Sequence, residues 1–419
     1  MPASDPALTP FPVSPLAQRL FALAAAAGHE ARIVGGAVRD WQAGFDIGDI
    51  DMAVAAPIEA FAALCRDAGL RVIETGLSHG TVTVAAKGDA IEVTQTRVDL
   101  ETDGRHALVG FSDDWLADAR RRDFTINALY LDAGGRVDDP LGGLADLRNR
   151  VLRFAGDAAR RVEEDALRML RYCRFLPRFG GGSTDADALT AIAGAAPAAA
   201  ALSGERVAAE CRKLFAMPDA AAGIAVLHDT GLDKGALGLQ IDPPKLDHLA
   251  GNAVATSPAA RSWADMPEAW LVRLAAVMPP GAAASLADRM RLSRAERRFL
   301  DVLDMSEPDR ICRLLGAADW RQTAYGICKD GMSPAAMLAV AAARCVENVG
   351  ASHLAEIHGW QAPDFPLTGA DLLSHGVDKG PALGEMLRDL ERHWLAEAFA
   401  PTREALLAMI ITRQNQSDG

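Results

Sequence analysis

None of the six cysteines (Cys65, Cys173, Cys211, Cys312, Cys328 and Cys345) stands in a C-x-x-C pair, so no zinc site is expected. Their scatter suits a reducing cytoplasm better than a disulfide-stapled fold. No apolar run reaches about 18 residues without a charge or a breaker, which argues against a transmembrane helix and a membrane partner. The opening MPASDPALTPFPVSP lacks the basic and apolar regions of a signal peptide and reads as a loose proline-rich leader. The phosphate-binding loop G-x-x-x-x-G-K-S/T is missing, and so is the dinucleotide loop G-x-G-x-x-G. Aromatics make up only 5% of the chain while alanine is abundant, a balance that favours helices. Basic residues are outnumbered, 43 to 56, and the net charge of −13, taken alone, argues against a nucleic-acid binder. That sum hides two basic clusters: Arg120, Arg121 and Arg122, then Arg160 and Arg161 followed by Arg168, Arg171, Arg174 and Arg178.

The 419 residues predict about two to four domains. Ser14 and Pro15 open a helix that Gly28 ends. ARIVGG is a short apolar strand, AVRDWQAGF a short helix and GDIDMAV a second strand. PIEAFAALCRDAG is helical, and LRVIETG, GTVTVAA and AIEVTQTR read as strands. The polar, glycine-marked stretch from Val98 to Trp115 reads as a loop. Strand signals nearly stop after Val151. DAARRVEEDALRMLRYCRFLPRFG reads as one long helix ended by Pro177 and Gly180, and SGERVAAECRKLFAM as a helix capped at Ser203. The fold class expected is α+β, a mixed sheet-and-helix head followed by an all-helical remainder. The boundaries expected are leader and first helix 1–30, head 31–153, neck 154–215, body 216–360 and tail 361–419. Ala255 to Pro267 and His358 to Gly369 are the expected joints.

The chemistry concentrates between Ile33 and Val54. In a strand, residues i and i+2 share a face, so Asp49 and Asp51 would project together with Ile50 turned into the core. Two adjacent carboxylates repel unless a cation lies between them. Oxygen ligands of this kind suit Mg²⁺, which takes substrate phosphates as further ligands. An isolated D-x-D is more often a polar strand edge. The preceding Gly35 and Gly36 alter that reading, because they let backbone N–H groups approach a phosphate, with Arg39 in reach of the same anion. Glu92, on a strand of the same head, is the candidate third carboxylate; a solvent-facing strand glutamate is the competing reading.

Three motifs in order carry a family resemblance. VGGAVRDWQAGFDIGDID resembles the first motif of the class II tRNA nucleotidyltransferase and bacterial poly(A) polymerase family, in the polymerase β-like superfamily. RRDFTINALY (Arg121 to Tyr130) is similar to its second motif and EEDALRMLRYCRF (Glu163 to Phe175) to its nucleotide-selecting motif. GERVAAECRKL (Gly204 to Leu214) resembles a later helix. The resemblance spans roughly residues 31 to 215. It implies a polymerase β-like head, Mg²⁺ held by Asp49, Asp51 and Glu92, and two-metal attack of an RNA 3′-hydroxyl on the α-phosphate of a nucleotide. It implies nucleotide contacts at Gly35, Gly36, Arg39, Arg122, Asp123 and Asn127, with Asp123 on the ribose.

For the nucleotide-selecting motif, the resemblance implies that Asp165 and Arg168 read the incoming base. Arg171 and Arg174 lie on the same helical face at spacings of three. The chemistry agrees: cytosine and adenine each present an amino donor beside a ring-nitrogen acceptor, which a carboxylate and an arginine can satisfy together. Uracil and guanine reverse that pattern and would leave both groups mispaired, at about 1–3 kcal/mol each. Two substrates remain open, the tRNA 3′ end receiving CCA from CTP and ATP, or general RNA receiving poly(A). The ending ITRQNQSDG carries no basic run, unlike the basic tails usual in the poly(A) branch. The stretch between the strands and RRDFTIN corresponds to a family loop associated with adding A, with Arg97 and Asp103 as its candidate contacts. The acidic net charge also fits tRNA better than RNA at large. LHDTGLD (Leu227 to Asp233) resembles a metal-dependent phosphohydrolase pair, but no histidine occurs between His106 and His228 to complete the ligands. No protein partner is implied.

Overall fold

The computed structural model describes residues 10–103, 106–111, 113–181, 184–246, 267, 269–304, 320–329, 356 and 360–417. Ser14 accepts the N–H of Ala17 and Pro15 opens α1 (Pro15–Ala26), the capping its sequence predicts. The leader is not wholly loose. Phe11 is buried in the head core and packs edge-on against Trp41 at 5.5 Å between ring centres. β1 (Ala31–Val34), α2 (Gly36–Gln42) and β2 (Asp51–Val54) follow, with β1 and β2 antiparallel and Val34 opposite Asp51. α3 (Ile58–Asp67) leads to β3 (Arg71–Gly76), β4 (Thr81–Ala86) and β5 (Asp89–Gln95). Alternation buries Val82 and Val84 on one strand and Ile91 and Val93 on the next, beneath Leu20 and Phe61 of the covering helices. Each such side chain contributes about 1.5–3 kcal/mol by leaving water.

The stretch from Val98 onward is not a loop. β6 (Arg97–Asp103) and β7 (His106–Phe111) pair antiparallel in a two-stranded sheet of their own. Val98, Leu100 and Thr102 alternate with polar residues, and Asp103-Gly104 is a strong hairpin turn signal. The polarity of the strands masked both. α4 (Trp115–Arg120), β8 (Tyr130–Leu131), β9 (Val137–Asp138) and α5 (Gly143–Asn149) complete the head. Its main sheet has seven strands in the order β3-β4-β5-β2-β1-β8-β9.

The long helix expected after Asp157 is two: α6 (Ala158–Glu164) and α7 (Leu167–Phe179). Asp165 breaks it, because its carboxylate accepts the N–H of Leu167 and so competes with helical bonding. Pro177 does not end α7 but lies inside its last turn, and the helix stops at Phe179. α8 (Ala186–Ala195), α9 (Gly204–Ala216), α10 (Ala221–Asp229) and α11 (Leu232–Leu237) follow. The first compact unit takes in residues 1–214 and 219–240, so α10 and α11 group with the head and the preceding helices. Gly223 accounts for part of this: a Cβ there would lie 2.1 Å from the Cys173 carbonyl oxygen, so only glycine lets α10 seat against α7.

The second unit is helical throughout its described residues, with helices at Ala269–Val277, Ala283–Met290, Arg294–Leu303, Trp320–Lys329, Gly369–Ser374, Pro381–Ala396 and Arg403–Ser417. Tyr325, Leu367, Leu390, Trp394, Leu406 and Ile410 form one of its cores. The expected joint at 358–369 is not a free linker from Trp360 onward, since Trp360, Phe365 and Leu367 pack into that core. The other expected joint, 255–267, lies outside the described residues save its last residue.

Candidate active site

Asp51 is the first residue of β2, and parallel pairing with β5 puts Glu92 directly opposite it. That register joins the two carboxylates across forty residues of chain. Asp49 lies ahead of the strand and is exposed, so strand alternation does not govern where it points; Ile50 packs partly against the head core. Burial, and then the like charges of Glu92 and Asp49, push the Asp51 carboxyl up to about 6, with Arg122 acting the other way. Open water on the outer side of Asp51 softens this. Among the described residues no three His, Cys, Asp or Glu side chains are gathered closely enough to hold a metal ion together, so the register brings Asp51 to Glu92 but the expected triad with Asp49 is not assembled. An open, all-oxygen, under-neutralised set fits Mg²⁺, which takes one or two carboxylates and fills its shell with waters and phosphates.

Gly35 holds φ +71° and ψ −124°, a conformation restricted to glycine, and its N–H donates to the Leu129 carbonyl at 3.0 Å. A Cβ there would also stand 3.3 Å from Nη1 of Arg122. Gly35→Ala is therefore expected to lower stability by about 1–3 kcal/mol and to displace Arg122, read as a lower urea midpoint together with a raised KM for nucleotide. Gly36 has ordinary space around it. Arg39 is buried rather than free. Its guanidinium donates to Asp40 at 2.8 Å and to Asn127 Oδ1 at 2.5 Å, and it lies 4.4 Å over the Phe179 ring. Burial lowers its affinity for the proton from the usual arginine value.

The second motif is organised by a carboxylate that sequence reasoning passed over. Asp118, only 1% exposed, takes Arg121 at 2.8 Å and Arg122 at 3.1 Å and accepts the Tyr130 hydroxyl at 2.9 Å. Burial opposes its charge, but the two arginines outweigh burial and hold its carboxyl below the usual range. Arg122 also lies 5.1 Å over the Tyr130 ring and donates to the Asn127 carbonyl. Asp123 accepts the Asn127 amide at 2.9 Å and both Nε and Nη2 of Arg171, at 2.8 and 2.5 Å. Burial again works against the charge and Arg171 restores it. Asp123, Asn127 and Arg39 thus form a chain of bonds from α7 to α2.

The motif expected to select the nucleotide splits at the helix break. Asp165 accepts Leu167 N–H at 3.0 Å and Arg206 Nη2 at 3.1 and 2.9 Å. Arg168 is anchored by Glu164 at 2.8 Å, the Arg161 carbonyl at 2.9 Å and the Arg121 carbonyl at 3.1 Å. Arg161 donates to the Arg120 carbonyl at 2.8 Å, so two neck arginines hold the carbonyl end of α4. Arg174 pairs at 2.5 Å with Glu210, a buried carboxylate on α9. Asp118, Glu164, Arg206 and Glu210 are the organising residues that sequence reasoning missed. For Asp118 and Glu164 a signal existed, the i,i+3 and i,i+4 spacing to Arg121, Arg122 and Arg168. Glu210 and Arg206 gave none. Arg97 is tied to Thr81 at 2.8 Å, and Asp103 and His106 are backbone register partners at the hairpin end. His228 meets Asp233 at 3.1 Å, and Asp233 accepts the Lys234 N–H, the helix-end arrangement that competes with a metal reading.

Two family models match the chain: "Poly A polymerase head domain" over residues 31–153 and "Probable RNA and SrmB- binding site of polymerase A" over residues 184–237. The mitochondrial CCA tRNA nucleotidyltransferase 1 of Mus musculus is 32% identical over 388 residues, 91% of this chain and 86% of that one. The chain belongs to the class II tRNA nucleotidyltransferase and poly(A) polymerase family. A CCA-adding enzyme of Geobacillus stearothermophilus is 41% identical over 208 residues, 49% of this chain and 50% of that one. The crystal structure of the Bacillus stearothermophilus CCA-adding enzyme in complex with CTP is 28% identical, with a TM-score of 0.71 over 96% of this chain and 98% of that one. The α+β head with helices following is the architecture of this family. Among the described residues no helix is long and apolar enough to cross a membrane.

Proposed function

We infer that this chain is a tRNA nucleotidyltransferase that adds CCA to tRNA 3′ ends from CTP and ATP without a template. The observation that carries this reading is likeness to a named CCA tRNA nucleotidyltransferase along nine-tenths of the chain. The site geometry supports a nucleotidyl transfer. The 3′-hydroxyl of the RNA gives up its proton to solvent, its oxygen bonds to the α-phosphorus, the bond from that phosphorus to the bridging oxygen breaks, and pyrophosphate leaves. Asp49, Asp51 and Glu92 would hold Mg²⁺, which when bound supplies Lewis-acid stabilisation to the reacting phosphate and hydroxyl. Arg122, clamped by Asp118, presents a fixed cation to the triphosphate, with Gly35 keeping the backbone clear of it. Arg39 reaches a phosphate only by exchanging Asp40 or Asn127. Asp123 and Asn127 would meet the ribose hydroxyls, with Arg171 and Arg174 steadying that wall through Asp123 and Glu210.

Asp165 and Arg168 read the base in this proposal. Arg206 and Glu164 orient them, and a carboxylate with about four acceptor sites retains room for a base amine. Asp165→Asn, whose amide can donate to uracil, is expected to cut the CTP-over-UTP preference in kcat/KM by about tenfold or more. Unchanged selectivity would remove Asp165 from base recognition. The second unit, with the tail from 361, is proposed to hold the tRNA by shape and backbone. The scattered free thiols support a reducing compartment such as the cytoplasm.

Poly(A) synthesis is the second reading, favoured by the description of the head model. One assay separates the two. Supplied with CTP and ATP, the protein should add three defined nucleotides to tRNA lacking its CCA end and little to an unstructured oligonucleotide. Long A-tails on both substrates would select the second reading.

A further inference from the structure

Arg168, Arg171, Arg174 and Arg178 form the basic stripe of α7, and the first three are neutralised from within. Glu164, Asp123 and Glu210 take them at 2.8, 2.5 and 2.5 Å, and their side chains are 16%, 31% and 19% exposed. Arg178 differs. It is 44% exposed, and its nearest carboxylate, Asp40, stands 3.8 Å away. Asp40 is already bonded to Arg39 at 2.8 Å. The Arg178 guanidinium instead lies 4.3 Å over the ring of Phe45. Phe45 is 40% exposed, one of three large apolar side chains so open among the described residues. Phe179 steadies it from the edge, 5.8 Å between ring centres at 74°. Phe45 belongs to the segment between α2 and Asp49, and Arg178 stands ten residues beyond Arg168, about 15 Å along the helix.

An exposed aromatic ring beside a half-exposed cation, whose nearest carboxylate stands at 3.8 Å and is shared with Arg39, is what an unpaired RNA base and its phosphate require: a π face or guanidinium plane to stack on, and a charge to pair with. We propose that Phe45 and Arg178 form a stacking platform for the acceptor strand of the RNA, upstream of the nucleotide being added. This rests on reading the chain as an RNA nucleotidyltransferase. The contact serves the RNA and not the incoming nucleotide.

The test is steady-state incorporation of CMP into tRNA lacking CCA, varying tRNA and CTP separately. Phe45→Ala and Arg178→Gln are each expected to raise KM for tRNA on the order of tenfold, with kcat and KM for CTP within about twofold. Arg178→Gln should also lower the salt slope of tRNA binding by about one. Phe45→Leu keeps an apolar contact with Phe179 but has no π face, and should behave as Phe45→Ala; Phe45→Trp should restore wild-type KM. Thermal midpoints establish that each variant is folded. An unchanged KM for tRNA, recovery by leucine, or a rise confined to CTP would overturn the platform. A wild-type protein that transfers nothing to tRNA would overturn the functional reading first, and the platform with it.

Discussion

Asp51→Ala is expected to lower nucleotide addition by about 10³-fold or more while leaving the head folded. Asp51 stands at the open start of β2 with Glu92 opposite and Asp49 two residues away, so it is a poorly neutralised charge and not a packing element. Its loss relieves repulsion instead of opening a cavity. On the proposed role, what disappears is a ligand for Mg²⁺, whose stabilisation of the reacting phosphate would amount to several kcal/mol, and each 1.36 kcal/mol is tenfold in rate. A second readout does not depend on turnover. Mg²⁺ should raise the thermal midpoint of the wild type at pH 7 and shift that of Asp51→Ala much less, since binding only to the native state stabilises it. Retained activity, or equal Mg²⁺ shifts, would remove Asp51 from the metal site.

Asp118→Ala carries the largest expected cost in stability, about 3–5 kcal/mol, because it leaves Arg121, Arg122 and the Tyr130 hydroxyl without their shared buried acceptor. Activity should fall with it, since Arg122 loses the clamp that aims it. The effect has a pH signature. The Asp118 carboxyl is held below its ordinary value in the folded chain. Its stabilisation is therefore complete above the unfolded value of about 3.9 and is lost as the pH falls through the lowered folded value. Urea midpoints of the wild type should decline through that acid window more steeply than those of Asp118→Asn, which has no proton to gain there. Equal slopes would mean that Asp118 is not the charged centre of this cluster.

Much of the head was legible because its signals are local. The capped start of α1, the strand before Gly35, the short helix after it and the alternation of β4 and β5 each depend on neighbouring residues. Glu92 was reachable because it alternates with Ile91 and Val93 on a strand of the same head, although its position opposite Asp51 depends on a parallel register that no local pattern encodes. The hairpin of β6 and β7 was misread because its strands are polar. The break at Asp165 was misread because a side chain outcompeted helix propensity at one residue.

The arginines mark the division between the two kinds of information. Residue identity and spacing alone determined that α7 carries a basic stripe, that a glycine pair precedes two carboxylates, and that the family motifs occur in order. Which cations are left for a ligand was decided only by tertiary structure. Arg39 meets Asn127 across 88 residues, Arg171 meets Asp123 across 48 and Arg174 meets Glu210 across 36. Such pairs form because a charge taken from water must find a partner wherever the fold puts one. Arg178, itself half-exposed on the same helix, lies over the ring of Phe45 and shares Asp40 with Arg39 at 3.8 Å, where Arg168, Arg171 and Arg174 each hold a carboxylate within 2.8 Å.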